Sequence, residues 1–226
     1  MFKSVLTAIA VALLATTSFA SASDQRADME LMYKTGDRSV AYDALTHTVT
    51  ISGPTTQRQS IALYNTMKEK EVATVILYGP GGDFYAGLRM GDIIRNANVT
   101  VIIPKGKSCV SACSFMALAG SRIILDGTLD FHAPYFTRVP TGVSILDITQ
   151  RFGIGYVDMA GYLVKNGYST QFARILLEKT SPCKFIVIDE QVGIDDLRTG
   201  LNPYGARSFK YTLVDNCAVQ RAMNGG

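Results

Sequence analysis

Apolar and polar positions alternate along the chain in a way that predicts interleaved strands and helices. Continuous apolar runs at Val72–Leu77, Val99–Ile103 and Leu129–Phe131 have the length of strands that are covered on both faces. Between the first two runs, Phe84–Asn96 has the apolar spacing of a helix. This order of elements predicts an α/β fold with a largely parallel sheet.

The segment before the first apolar run predicts a hairpin and then a helix. Ser39–Tyr42 and Thr46–Ile51 alternate as half-buried strands do, and Asp43–Leu45 is a turn between them. The helix that follows has Thr55 or Thr56 as its N-cap. The amino-terminal part is therefore expected to supply an outer hairpin and a first crossover helix.

The segment after Pro134 changes character and predicts a helical arm, about residues 143–180. Val143–Val164 and Ser169–Thr180 have helical spacing, with a glycine turn between them. A further apolar strand, Phe185–Ile188, follows and ends at Asp189.

Glycines and a histidine follow two of the predicted strands. Gly81 and Gly82 form a loop after the first apolar run, and two adjacent glycines let backbone N–H groups approach an anion without interference from Cβ. His132 follows the third run and has the pKa of a general base near neutrality. Since sites in parallel α/β sheets are built at strand ends, these residues are candidates for one site.

Ser111 is the candidate nucleophile, in the segment after the second apolar run. A helix is predicted to start near Ser108 or Cys109, which places Ser111 in its first turn, where unpaired N–H groups favour a developing anion. The alternative interpretation is a small packing residue. A serine, a histidine and a glycine loop at strand ends together indicate a hydrolase that acts by acyl transfer.

The ordered set of these motifs resembles the Clp protease proteolytic subunit, and especially its secreted, cysteine-flanked relatives. The similarity covers roughly Val49–Asn202. It implies a crotonase-like ββα spiral, with Ser111 as nucleophile and His132 as base. It also implies an oxyanion hole formed at Gly82 and the N–H of Ala112, beside Gly81. In the family the helical arm packs subunits together, which implies a homo-oligomer.

The acidic member of a triad is not evident from the motifs. The family places it shortly after the second arm helix, often following a proline, but here Pro182 is followed by Cys183. We take Asp189 as the substitute, because a strand end could turn its carboxylate towards His132. Asp158, on the first arm helix, is the other candidate, and either carboxylate could be an ordinary surface acid.

Three other mechanisms are compatible with the sequence. A serine–lysine pair would use Lys105 or Lys107, although a lysine base needs a desolvated position and these two are flanked by glycine. The crotonase branch of the superfold acts on coenzyme A thioesters, a cofactor that an exported protein would not normally meet. The last alternative is a catalytically silent binding or assembly module, which Cys183 at the expected acid position favours.

The amino terminus predicts export. Met1–Ala22 has a charged start at Lys3, an apolar run over Val5–Ala15 and small residues at a cleavage site, as secretory signals do. Cleavage would leave residues 23–226 as one domain, periplasmic or secreted, with no stable membrane span. The expected substrate is a peptide or an unfolded protein segment.

All four cysteines lie in the exported part, where disulfides are expected. Three pairings are possible, and local spacing favours Cys109–Cys113 and Cys183–Cys217. A zinc site formed by these residues is disfavoured because the chain has no CxxC spacing. The net charge of +3 is too small to indicate nucleic acid or an anionic membrane as partner. No metal and no cofactor is expected.

Overall fold

The computed structural model describes residues 39–133, 144–191, 194, 197 and 211–215. They all belong to one compact unit, Asp37–Gly226. Three features of the sequence-based interpretation lie outside the described residues, namely the signal segment 1–22, Pro134 and Cys217. None of the helices in the described ranges is long and apolar enough to cross a bilayer.

Strands and helices alternate through most of the chain. The strands are β1 (Val40–Asp43), β2 (Thr48–Thr55), β3 (Thr74–Gly82), β4 (Thr100–Ile103), β5 (Ser108–Val110), β6 (Arg122–Leu125), β7 (Thr128–Phe131), β8 (Lys184–Ile188) and β9 (Thr212–Asp215). The helices with described bounds are α1 (Gln57–Glu69), α2 (Phe84–Ala97), α3 (Ala112–Ala117), α4 (Ile145–Lys165) and α5 (Thr170–Lys179).

The sheet branches at β3. The first part of β3 pairs with β4, which continues to β6, whereas Gly79 near its end pairs with Cys109 of β5. From β5 the sheet continues through β7, β8 and β9. The pairs β2–β3, β3–β4, β4–β6, β3–β5 and β5–β7 are parallel, and the outer pairs β1–β2, β7–β8 and β8–β9 are antiparallel. An α/β fold with a largely parallel sheet is confirmed.

The apolar runs form the core as their pattern predicts. Val75 and Leu77 of β3 are fully buried, as are Val101 and Ile103 of β4. Helix α1 begins after Thr56, whose side chain accepts a hydrogen bond from the Gln59 N–H at 3.2 Å, so the second of the two predicted caps is the one used.

Two local predictions differ from the structure. The glycine loop is the last part of β3, because Gly81 and Gly82 pair with Pro54 and Thr55 of β2. The helix expected to start near Ser108 starts later, at Ala112, because Ser108–Val110 forms strand β5 against β7. In both places a neighbouring strand supplies hydrogen bonds that local sequence does not reveal.

The helical arm of α4 and α5 contributes to the core. Five large apolar side chains of the arm are buried in the core: Met159, Tyr162, Leu163, Phe172 and Leu176. The Tyr162 hydroxyl donates to the Phe115 carbonyl at 2.9 Å, and the Tyr168 hydroxyl donates to the Leu118 carbonyl at 3.0 Å. These bonds join α4 and the turn after it to the end of α3.

Candidate active site

Ser111 occupies a strained turn between β5 and α3. Its backbone has φ 57° and ψ −121°, a region that non-glycine residues rarely adopt and that costs about 1–3 kcal/mol. Its N–H donates to the Asp130 carbonyl at 2.7 Å, and its own carbonyl accepts the Ser114 N–H at 2.9 Å. A strained serine in a strand-to-helix turn is the geometry of nucleophile elbows in hydrolases.

A disulfide spans this turn. Cys109 and Cys113 are bonded to each other, as predicted, with their Cα atoms 5.1 Å apart and both side chains buried. Cys109 lies on β5 and Cys113 on α3, so the bridge ties the two elements on either side of Ser111. Cys183 is also disulfide-bonded. Its predicted partner, Cys217, lies outside the described residues.

The end of β3 lies directly against the serine turn. Gly81 has φ +81°, and a Cβ at this position would lie 2.7 Å from the Ser111 Cβ and 3.1 Å from the Ala112 nitrogen, with the Val110 carbonyl oxygen still closer. Only glycine allows this approach. Ala112 is the first residue of α3, so its N–H has no acceptor within the helix. The predicted oxyanion groups Gly81 and Ala112 are therefore adjacent.

His132 follows β7, the strand that runs beside β5. Val110 pairs with Asp130 in parallel register, so Ser111 and His132 leave neighbouring strands at the same edge of the sheet. The His132 side chain is 9% exposed, and its ring packs edge-on against Phe185 with centroids 4.9 Å apart. The β5–β7 pairing thus places the backbones of the two predicted reacting residues at the same edge of the sheet.

One ring nitrogen of His132 has a definite role. Nδ1 lies 2.8 Å from the carbonyl oxygen of Ala133. Because a carbonyl only accepts hydrogen bonds, Nδ1 carries the proton of the neutral ring and Nε2 is its basic nitrogen. In this tautomer Nε2 is the ring nitrogen that can accept a proton.

The pKa of His132 is lowered from its ordinary value, chiefly because burial disfavours the charged ring, while the Ala133 hydrogen bond acts in the opposite direction. The neutral ring is the form that can act as a base, and a lower pKa keeps it neutral at lower pH. The acidic limb of kcat/KM for ester hydrolysis should therefore have its midpoint below about 6.5, the ordinary histidine pKa. His47→Ala, which removes the exposed second histidine, should leave this midpoint unchanged, and a midpoint above 6.5 would contradict the burial argument.

The structure does not bring Asp189 to His132. Strand β8 is antiparallel to β7, with Ile188 opposite Leu129, so Asp189 falls beside Thr128 at the other end of β7. Four residues of strand separate that position from His132, roughly 13 Å. The alternative acid, Asp158, accepts a hydrogen bond from the Tyr85 hydroxyl at 3.1 Å on the surface of α4.

Asp130 is a carboxylate that sequence reasoning missed. It lies on β7, two residues before His132, which follows the end of this strand. One of its carboxyl oxygens is buried and has no hydrogen-bond partner among the described residues. Burial raises its pKa, the Thr128 hydrogen bond opposes this, and the charge of Asp189 adds to it. Its position on the strand is the only signal that could have singled it out.

Lys107, one of the two lysines considered as an alternative base, lies over an aromatic ring. The ammonium of Lys107 lies 5.2 Å from the centre of the Tyr78 ring, a cation–π arrangement. The Lys107 side chain therefore contacts the Tyr78 ring, an observation that gives no support to Lys107 as the base.

No family model matches the chain, and no curated protein is significantly similar to it. The functional interpretation consequently depends on the geometry of Ser111, His132 and the backbone around them.

A chain of aromatic rings supports the three segments of the site. Phe84, Phe115, Phe131 and Phe172 contact one another in turn, edge to face, with centroids 5.4–5.7 Å apart. Phe84 follows the glycines, Phe115 lies one helical turn after Ser111, and Phe131 directly precedes His132. Such pairs contribute about 0.5–1.5 kcal/mol each beyond their burial. The segments that carry the candidate groups are therefore packed onto one another by rings that are buried, or partly buried in the case of Phe84.

Proposed function

We propose that this chain is an exported serine hydrolase of the Clp-protease-like, crotonase-like ββα type that cleaves peptides or unfolded protein segments. The observation that carries the proposal is the strained Ser111 turn, held beside β7, the strand that His132 follows. Strain of this kind persists only where the surroundings impose it, and it clusters at functional sites.

The proposed reaction is acyl transfer in two steps. His132 Nε2 takes the proton from Ser111 Oγ as this oxygen attacks the carbonyl carbon of the substrate. The N–H of Ala112 and the backbone of Gly82 stabilise the oxyanion, and His132 then protonates the leaving amine. Water, activated by the same nitrogen, hydrolyses the acyl-enzyme. The Ala133 carbonyl keeps the ring in the tautomer that each step needs.

A fluorophosphonate probe tests this proposal directly. The probe reacts with activated serines, and peptide mass spectrometry should locate the label on Ser111. Ser111→Ala should abolish labelling, and His132→Ala should slow it strongly because the base is lost. A folded wild-type protein that remains unlabelled would refute the proposed function.

The third group of the site should not be Asp189. Because β8 runs antiparallel and places this carboxylate at the far end of β7, Asp189→Asn should change kcat/KM by less than about twofold, within the scatter of surface substitutions. Measuring kcat/KM of Asp130→Asn in the same assay tests the partly buried carboxylate that lies two residues before His132. A large decrease in kcat/KM of folded Asp189→Asn would contradict the inference that this residue lies too far from His132 to act on it.

One observation favours a second candidate function. Cys183 stands where the related family has its acid, and it is held in a disulfide, so it has no thiolate to offer to His132. This supports a catalytically silent binding or assembly module. The labelling experiment separates the two, since a silent module has no activated serine.

The arm also presents an apolar face that supports a homo-oligomer. Exposed apolar side chains lie along α4, at 50–76% exposure: Leu146, Ile154, Val157 and Val164. Val157→Glu should shift the mass measured by light scattering towards the monomer, because a charge at a buried interface is costly. Asn96→Asp, with the same charge change on α2, is the control. A monomeric wild-type protein would exclude the proposed assembly.

A further inference from the structure

Ser114 makes an unusual pair of contacts beneath the site. Its side chain is fully buried in α3, and Oγ lies 2.5 Å from the Cys109 carbonyl oxygen and 2.9 Å from the Asp130 carbonyl oxygen. Cys109 comes two residues before Ser111, and Asp130 comes two residues before His132. One hydroxyl therefore contacts both strands that deliver the candidate reacting groups.

This arrangement differs from the ordinary role of serine in a helix. A helical serine usually returns its hydrogen bond to its own helix, to the carbonyl four residues before it. Ser114 instead directs its one hydroxyl proton at the Cys109 carbonyl of β5 and the Asp130 carbonyl of β7, as a shared hydrogen bond. A buried hydroxyl without a hydrogen bond costs free energy. These contacts therefore stabilise the buried position of the Ser114 side chain between the two strands.

The contacts also differ from those of the disulfide. The Cys109–Cys113 bridge joins β5 to α3 and leaves β7 untouched. The Asp130 carbonyl accepts both the Ser111 N–H, at 2.7 Å, and the Ser114 hydroxyl. Ser114 thus adds a hydrogen bond between β7 and the helix following the nucleophile to the packing of Phe115 on Phe131.

We propose that Ser114 is a positioning residue that sets the spacing between Ser111 and His132, an inference that rests on the proposed function. Without its hydroxyl the β7 strand keeps its pairing with β5 but loses its bond to α3. The strained Ser111 turn then loses one of the contacts that impose it. The reaction needs a separation of about 3 Å between oxygen and nitrogen, and a displacement of about 1 Å can cost on the order of 100-fold in rate.

The kinetic test compares Ser114→Ala with Tyr168→Phe. The second variant removes another buried hydroxyl, which donates to the Leu118 carbonyl directly after α3. Both should lower the melting temperature by similar amounts. Ser114→Ala should also slow fluorophosphonate labelling of Ser111 and lower kcat about 10- to 100-fold with KM unchanged, whereas Tyr168→Phe should match wild type in both rates. Wild-type rates in folded Ser114→Ala, or equal losses in both variants, would overturn the proposal.

A second measurement separates this proposal from the proposed function. Imidazole NMR reports the titration of His132 whether or not the protein is catalytic. In Ser114→Ala the pKa of His132 should rise towards its ordinary value as water reaches the loosened strand end, while Tyr168→Phe should leave it unchanged. Should wild type resist labelling, the proposed function fails and this titration still decides the role of Ser114. An unmoved titration in Ser114→Ala overturns the positioning role.

Discussion

Ser111→Ala should lower ester and peptide hydrolysis by about three orders of magnitude or more. The substitution removes the attacking oxygen while the backbone groups that stabilise an oxyanion stay in place, which is the effect seen when a member of a catalytic triad is removed. The fold should persist, and the release of backbone strain is small compared with the stability of a domain. Initial rates on a p-nitrophenyl ester, normalised to folded protein by circular dichroism, measure the loss.

Ser108→Ala is the matched control for this experiment. Ser108 lies on β5, three residues before the nucleophile, and its hydroxyl accepts a hydrogen bond from Thr128 at 3.0 Å. It should retain activity within about twofold, since the bond is exposed and surface substitutions have small effects. Undiminished hydrolysis in Ser111→Ala would assign any activity to another residue.

Gly81→Ala should cause the largest loss of stability, and labelling of Ser111 should be lost with it. The added methyl group would lie 2.7 Å from the Ser111 Cβ, and a positive φ is unfavourable for alanine. Backbone strain of about 1–3 kcal/mol and overpacking of about 1–3 kcal/mol act together. At roughly 2–4 °C per kcal/mol, the melting temperature should fall by about 5–20 °C.

Gly53→Ala separates the two causes. Gly53 has nearly the same φ, +79°, but a Cβ there meets nothing within 4 Å. The melting temperature of Gly53→Ala should fall through backbone strain alone, by about half the decrease in Gly81→Ala or less. Ser111 should still react with the probe. If both variants lose equal stability and both label normally, close packing of β3 against the serine turn does not matter to the site.

The sequence predicted the elements that follow from local pattern. Val72–Leu77 and Val99–Ile103 are apolar over a strand length, and buried strands β3 and β4 include most of these residues. The local cysteine pair also formed as its spacing predicted. By contrast, Ser108–Val110 has no strong preference of its own, and pairing with β7 decides that it is a strand.

The sequence pattern did not predict the direction of β8. Asp189 ends the last apolar run, and in a parallel strand its carboxylate would lie near His132. Strand β8 instead enters antiparallel to β7, which moves the same residue to the other end of the sheet. Direction depends on where the chain returns from the helical arm, and no local pattern records that path.

The positioning groups were missed for a similar reason. Ser114 is one of several small residues in a buried segment, and nothing in its neighbours shows that its hydroxyl bonds to two strands. The carbonyl that orients His132 belongs to Ala133, and a backbone group has no sequence signature.

The aromatic chain affects when the site can form during folding. Its rings come from Phe84, Phe115, Phe131 and Phe172, so the contacts that support the serine turn join parts of the chain that are distant in sequence. Contacts of this kind form late, because the entropy of closing long loops has to be offset first. A precursor whose second arm helix has not yet docked would carry every candidate reacting group without the packing that aligns them. Labelling of Ser111 should therefore appear only once these distant segments have packed together.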